Sequence, residues 1–104
     1  MILEDLAAGT KARIEQQKQK IPLKQLQKQA EAMGRESGFS LYQALKAEGM
    51  SFICEVKRAS PSKGVIAESF PYLEIAREYE AAGASAVSVL TEPERFLGRD
   101  EYLS

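Results

Sequence analysis

Apolar positions in the first fifty residues recur at helical spacing, whereas the second half switches to short apolar runs and alternation. Leu3, Leu6, Ala7, Thr10, Ile14 and Gln17 fall near one face of a helix, with polar residues opposite. Ile21-Pro22 breaks that helix, because a residue before proline avoids the α region. Pro22 then opens a second helix at its first position. Leu23, Leu26, Ala30 and Met33 continue the apolar stripe, and Gly34 provides a stop. Ser40 with Gln43 has the pattern of a capping box, starting a short helix to about Ala47 with Leu41 and Leu45 pointing inward. The Gln- and Lys-rich run from Glu15 to Gln29 sustains no heptad and reads as a solvated face.

The second half begins with Phe52-Ile53-Cys54-Glu55-Val56-Lys57, a β-prone run bounded by Gly49 and Ser60-Pro61. A polar loop is expected from Arg58 to about Ser69. Pro71 can begin a helix whose apolar face is Tyr72, Ile75, Ala76 and Tyr79, and Gly83 ends it. Ala84 to Leu90 reads as a second strand, Thr91 to Gly98 as a loop, and Asp100 to Ser104 as the start of another helix. Strand, helix, strand over this length is a βαβ unit, with parallel strands and a right-handed crossover. Two parallel strands do not complete a sheet, because such strands are normally covered on both faces. The expected organisation is a helical segment over residues 1–50 and a βαβ unit over residues 51–104.

Composition narrows the class. The chain has 104 residues, 44% hydrophobic and 28% charged, with a net charge of −1. That length suits one domain with a modest core, and the balance excludes disordered, collagenous and disulfide-rich classes. The first half is net basic and the second net acidic. A near-neutral total gives no footprint for nucleic acid. No apolar run approaches the ~18 residues of a membrane span, and the N-terminus lacks the pattern of a secretory signal. Cys54 is the single cysteine, as expected of a protein of the reducing cytoplasm. Histidine is absent, which leaves carboxylates, lysine and tyrosine for acid–base chemistry and excludes metal sites built on His or Cys clusters.

The first strand carries the candidate chemistry. Alternation puts Phe52, Cys54 and Val56 on one face and Ile53, Glu55 and Lys57 on the other. Opposite charges on a strand of a parallel sheet need each other or a polar cavity, since unpaired buried charge is expensive. Two readings stay open: an ion pair on an edge strand, or a reactive pair at the C-terminal strand ends where α/β sheets and barrels gather their sites. The segment Arg58 to Gly64 adds two hydroxyls, cations and a glycine that could hold an anion or form a surface turn. On the second strand Ala86, Ser88 and Leu90 share a face suited to a tightly packed interior, and Val87 and Val89 suit a helix layer. Phe96 could line an apolar pocket or anchor its loop. Cys54 reads as a core residue with nothing near it to activate the thiol.

Phe52 to Val65, FICEVKRASPSKGV, resembles the signature of the indole-3-glycerol-phosphate synthase family. So, independently, does AAGASAVSVLTEPERFLGRDEYL. Ile21-Pro22-Leu23 and Phe39 to Leu45 are similar to that family's N-terminal extension. The resemblance implies the N-terminal portion of a (β/α)8 TIM barrel of the ribulose-phosphate-binding type, preceded by helices. It implies a carboxy-lyase of tryptophan biosynthesis. Such an enzyme closes a ring in 1-(2-carboxyphenylamino)-1-deoxyribulose 5-phosphate and releases CO2 and water. No redox step occurs, so no cofactor is implied. By resemblance Glu55 and Lys57 are catalytic, with Lys57 also holding the substrate's anionic groups. Ser60 and Pro61 match a loop that closes over the substrate, and Leu90 and Phe96 match positions that cradle its aromatic ring.

A barrel of this kind takes about 250 residues and eight strands. This sequence has two strands, and the family's third-strand lysine, later glutamates and late glycine-rich phosphate site have no counterpart. The expectation is an N-terminal portion that is inactive alone. The exposed edge of Ala84 to Leu90 and the uncovered valines favour self-association or pairing with a complementary C-terminal fragment. The alternatives are a non-catalytic helical and βαβ module that binds protein or phosphate, and a phosphate-binding barrel of another specificity.

Overall fold

A computed structural model of the chain describes residues 1–34 and 40–104. Two compact units are present, Met1–Ser37 and Gly38–Ser104. The first consists of helices α1 (Ile2–Lys20) and α2 (Leu23–Ala32). Ile21 between them has φ −130° and ψ 99°, the extended conformation imposed by the following proline. Pro22 is the N-cap of α2 rather than its first helical residue, with ψ 153°. Helix α2 runs to Ala32, and the Gly34 N–H then bonds to the Glu31 carbonyl. The expected apolar stripe is present but mostly uncovered: Leu3, Ile14, Leu23, Leu26 and Met33 are exposed, whereas Leu6 and Thr10 are half-buried.

The second unit contains α3 (Ser40–Lys46), β1 (Ile53–Val56), β2 (Ala59–Ser60), β3 (Gly64–Val65), α4 (Tyr72–Ala81), β4 (Ala86–Val89) and a 3-10 helix, Asp100–Leu103. Helix α3 already includes Ser40, and the preceding Phe39 of the family-like segment lies outside the described residues. The inward placement expected for Leu41 and Leu45 does not hold, since they are 55% and 48% exposed. The spacing is helical as read, but among the described residues no neighbouring layer closes over that face. Ser51 Oγ donates to the Ala44 carbonyl, 3.1 Å away, tying the end of α3 to the lead-in of β1.

β1 and β4 pair in parallel, with Ile53 opposite Ala86, Cys54 opposite Val87, Glu55 opposite Ser88 and Val56 opposite Val89. Backbone bonds extend the pairing at both ends, from Ser85 N–H to the Phe52 carbonyl and from Leu90 N–H to the Val56 carbonyl. Helix α4 connects the two strands and packs on both. Tyr72, Ile75, Ala76 and Tyr79, the face read from spacing, are half-buried, and Leu73 is exposed. Tyr79 and Cys54 line one shallow apolar recess with Phe52 and Gly83, which places α4 on the Cys54 side of the strands. On that side Val56 is buried, and Val87 and Val89 are half-buried rather than uncovered, because α4 shields them.

Gly83 ends α4 with φ +99°, a conformation that costs glycine little. Its N–H bonds to the Glu80 carbonyl and that of Ala84 to the Tyr79 carbonyl, the paired bonds of a Schellman motif. The chain thereby reverses directly into β4. Where a loop was expected after β1, a small antiparallel hairpin forms, with Ala59 opposite Val65 and Ser60 opposite Gly64. At the other end Phe70, Tyr72 and Tyr102 form an aromatic cluster, with the two tyrosine rings 4.4 Å apart, joining the start of α4 to the 3-10 helix. The expected final helix is thus a 3-10 turn held by ring packing.

Candidate functional site

Glu55 and Lys57 stand at the C-terminal end of β1, on the side away from α4. Parallel pairing sets all backbone directions alike, so the ends of β1 and β4 and the loops that follow them gather on one side. Lys57 Nζ lies 3.7 Å from Glu55 Oε1, with the two side chains 34% and 45% exposed. Both are accessible to a small molecule and neither is buried without a partner. The other carboxylate oxygen, Oε2, accepts a hydrogen bond of 3.1 Å from Ser88 Oγ, directly across the strand pair. Tyr79 Oη donates to the Glu55 carbonyl, 3.2 Å away, holding the backbone from the helix side. The result is a cation and a carboxylate side by side, with the carboxylate fixed from a second strand.

Ser60 is 7% exposed, and its hydrogen bonds stay within the hairpin turn. Its Oγ accepts the Lys63 N–H at 3.2 Å and lies 3.5 Å from Ser62 Oγ. Pro61, Ser62 and Lys63 are exposed at the turn. Arg58, one of the cations counted toward an anion site, closes the base of the hairpin. Its Nη2 donates to the Glu68 carbonyl, and its own carbonyl accepts the N–H groups of Ile66 and Ala67. The segment is therefore a built turn directly after the charged pair.

Leu90 is half-buried, and its N–H bonds to the Val56 carbonyl at 3.1 Å, which places it at the top of the strand pair. Phe96, also half-buried, is set by its loop. The Glu92 carboxylate accepts three backbone N–H groups, from Glu94 at 2.9 Å, Arg95 at 2.8 Å and Phe96 at 3.0 Å. Gly98 then folds back, its N–H bonding to the Glu92 carbonyl at 2.8 Å. The structure brings Glu55 and Lys57 together and seats Leu90 on the end of β1. Ser60 and Phe96 are fixed by contacts within their own loops.

Comparison with known proteins now bears on these residues. The family model for indole-3-glycerol phosphate synthase matches residues 3–104. The chain belongs to the indole-3-glycerol phosphate synthase family. It is 52% identical over 103 residues to an indole-3-glycerol phosphate synthase of Ruminiclostridium cellulolyticum, covering 99% of this chain and 40% of that protein. A namesake from Lachnoclostridium phytofermentans is 45% identical over 114 residues, covering 99% and 42%. One from Endomicrobium trichonymphae is 48% identical over 103 residues, covering 99% and 40%. The chain thus spans about two fifths of the length of the curated synthases it matches.

Three residues of this synthase-family chain have roles that only the structure reveals. Ser88 reads from alternation as a small packing residue, and only the register reveals that it faces Glu55. Glu92 is one of many surface-type acids, and its position four residues before Phe96 was the available signal. Gly98 reads from the sequence as a loop end, whereas it packs tightly against the end of β4.

Proposed function

We propose that this chain supplies the N-terminal portion of an indole-3-glycerol-phosphate synthase. Residues 1–50 are its helical extension and residues 51–104 the first βαβ unit of a (β/α)8 barrel. The reaction is that of a carboxy-lyase in tryptophan biosynthesis, in the cytoplasm. In 1-(2-carboxyphenylamino)-1-deoxyribulose 5-phosphate, the ring carbon bearing the carboxylate bonds to the ketone carbon. CO2 then departs, and loss of the new hydroxyl with a proton gives indole-3-glycerol phosphate and water. The observation that carries this reading is the Glu55–Lys57 pair at the C-terminal strand ends, on a chain matched to the family throughout.

In this reading the Lys57 ammonium binds the anionic substrate and donates a proton to the departing hydroxyl. Glu55 holds Lys57 and acts as acid or base in dehydration. Ser60 and Pro61 belong to the loop that closes over the substrate, and Leu90 and Phe96 contact its aromatic ring. Residues 1–104 span about two fifths of the matched synthases, and ring closure needs a further acid at the carbonyl oxygen, which in this reading belongs to the later strands of the barrel. The test is turnover of the carboxyphenylamino substrate, followed by indole fluorescence. The purified 104-residue chain should give none. Joined at Ser104 to the C-terminal three fifths of the Ruminiclostridium synthase, it should turn over. Activity of the chain alone would overturn the division of labour, and an inactive but folded fusion would overturn the assignment.

A further inference from the structure

We propose that Ser88 is a positioning residue for the Glu55–Lys57 pair, an inference that rests on the catalytic reading of that pair. Four observations lead there. Ser88 is the one polar residue of β4, a strand otherwise composed of Ala86, Val87 and Val89. The parallel register sets it directly opposite Glu55, on the charged side of the strand pair. Its hydroxyl donates to Glu55 Oε2 at 3.1 Å. The other oxygen, Oε1, is the one that faces Lys57 Nζ at 3.7 Å.

Division of the two oxygens is the functional point. A glutamate side chain has three rotatable bonds, and a half-exposed one samples several rotamers. A hydrogen bond to one oxygen from a residue on a different strand fixes the plane and direction of the carboxylate. Lys57 then meets a charge held in place, and its ammonium is directed over the strand ends. Packing alone would be served by alanine, as at Ala86 on the same side of the same strand. A hydroxyl on an apolar strand is therefore explained by its acceptor. Placement of this kind matters for catalysis because small displacements of a reacting group cost large factors in rate.

The first test uses the 104-residue chain. Side-chain NMR couplings should report one Glu55 rotamer in the parent, averaging over rotamers in Ser88→Ala, and recovery in Ser88→Thr, which restores a hydroxyl. Unchanged amide resonances for Ala86–Val89 establish that the strand pair survives. Unaltered Glu55 couplings in Ser88→Ala would overturn the proposal. The second test uses the fusion with the Ruminiclostridium C-terminal portion. Ser88→Ala should lower kcat about ten-fold with KM within about two-fold, and Ser88→Thr should regain most of the loss. An equal loss in both variants would assign Ser88 to packing and overturn the proposal. If Glu55→Gln and Lys57→Met leave the fusion's turnover intact, the catalytic reading of the pair fails instead, while the rotamer measurement still judges what Ser88 does.

Discussion

Gly98 is seated on the peptide between Leu90 and Thr91. A Cβ at this position would fall on the Leu90 carbonyl oxygen and within 2.8 Å of the Thr91 backbone. The residue is buried, and the atoms it meets belong to the main chain, which cannot swing aside as a side chain would. The end of β4 and the end of its following loop are thus locked at one point.

Gly98→Ala should therefore cost about 1–3 kcal/mol, the usual range for forcing extra atoms into a packed site. The displacement falls on Leu90 and Thr91, so amide exchange should accelerate there first. Urea unfolding followed by tyrosine emission gives the total. A stability change below a few tenths of a kcal/mol would show that the loop simply shifts away.

Glu92 holds the other end of this loop. Its two oxygens accept three successive N–H groups at 2.8–3.0 Å, and these set where Phe96 lies. Glu92→Ala removes both acceptor oxygens and with them all three bonds, and Glu92→Gln keeps one carbonyl oxygen. Amide exchange at Glu94, Arg95 and Phe96 should rise strongly in the first variant and less in the second, with a loss of about 1–3 kcal/mol in Glu92→Ala. In a completed synthase the same variants should raise KM, through a mobile Phe96, before they affect kcat.

The sequence was most legible where a single local force decides. Ile21-Pro22 and Gly83 mark helix ends through backbone sterics alone, and both ends lie where read. The β-branched runs around Val56 and Val87 gave both strands, and alternation gave the right faces. What failed depends on partners distant in sequence. Leu41 and Leu45 have helical spacing, yet burial requires a layer that the described residues do not supply. The two-residue strands of the Ala59–Val65 hairpin are too short to show a period. Ser88 reads as a small packing residue because strand register, not composition, sets it against Glu55.

The charged pair should matter little to stability. Lys57 and Glu55 are 3.7 Å apart and both are more than one third exposed. Exposed pairs of this kind contribute less than about 1 kcal/mol. Lys57→Met and Glu55→Gln should accordingly leave the urea midpoint nearly unchanged. In the fusion with a complementary barrel portion, each should lower kcat about 10²–10⁴-fold, the range for a general acid or base. A large stability loss with intact turnover would make the pair a structural ion pair.

Association is the last consequence. Among the described residues, β1 pairs only with β4, so each strand keeps one unpaired edge. Phe52 and Ile53 remain 59% and 57% exposed beside that edge, and Val65 and Ile66 are exposed on the hairpin. Unpaired N–H and C=O groups next to apolar side chains form a template for further strands. The chain alone should self-associate with rising concentration, as read by light scattering on a sizing column. Adding the C-terminal three fifths of a synthase as a separate chain should replace those species with a 1:1 complex. Ile53→Lys should weaken both forms of association, because it places a charge where a neighbouring strand's side chains would pack. A monomer that stays monomeric at high concentration and ignores the complementary chain would show that the open edge is already protected.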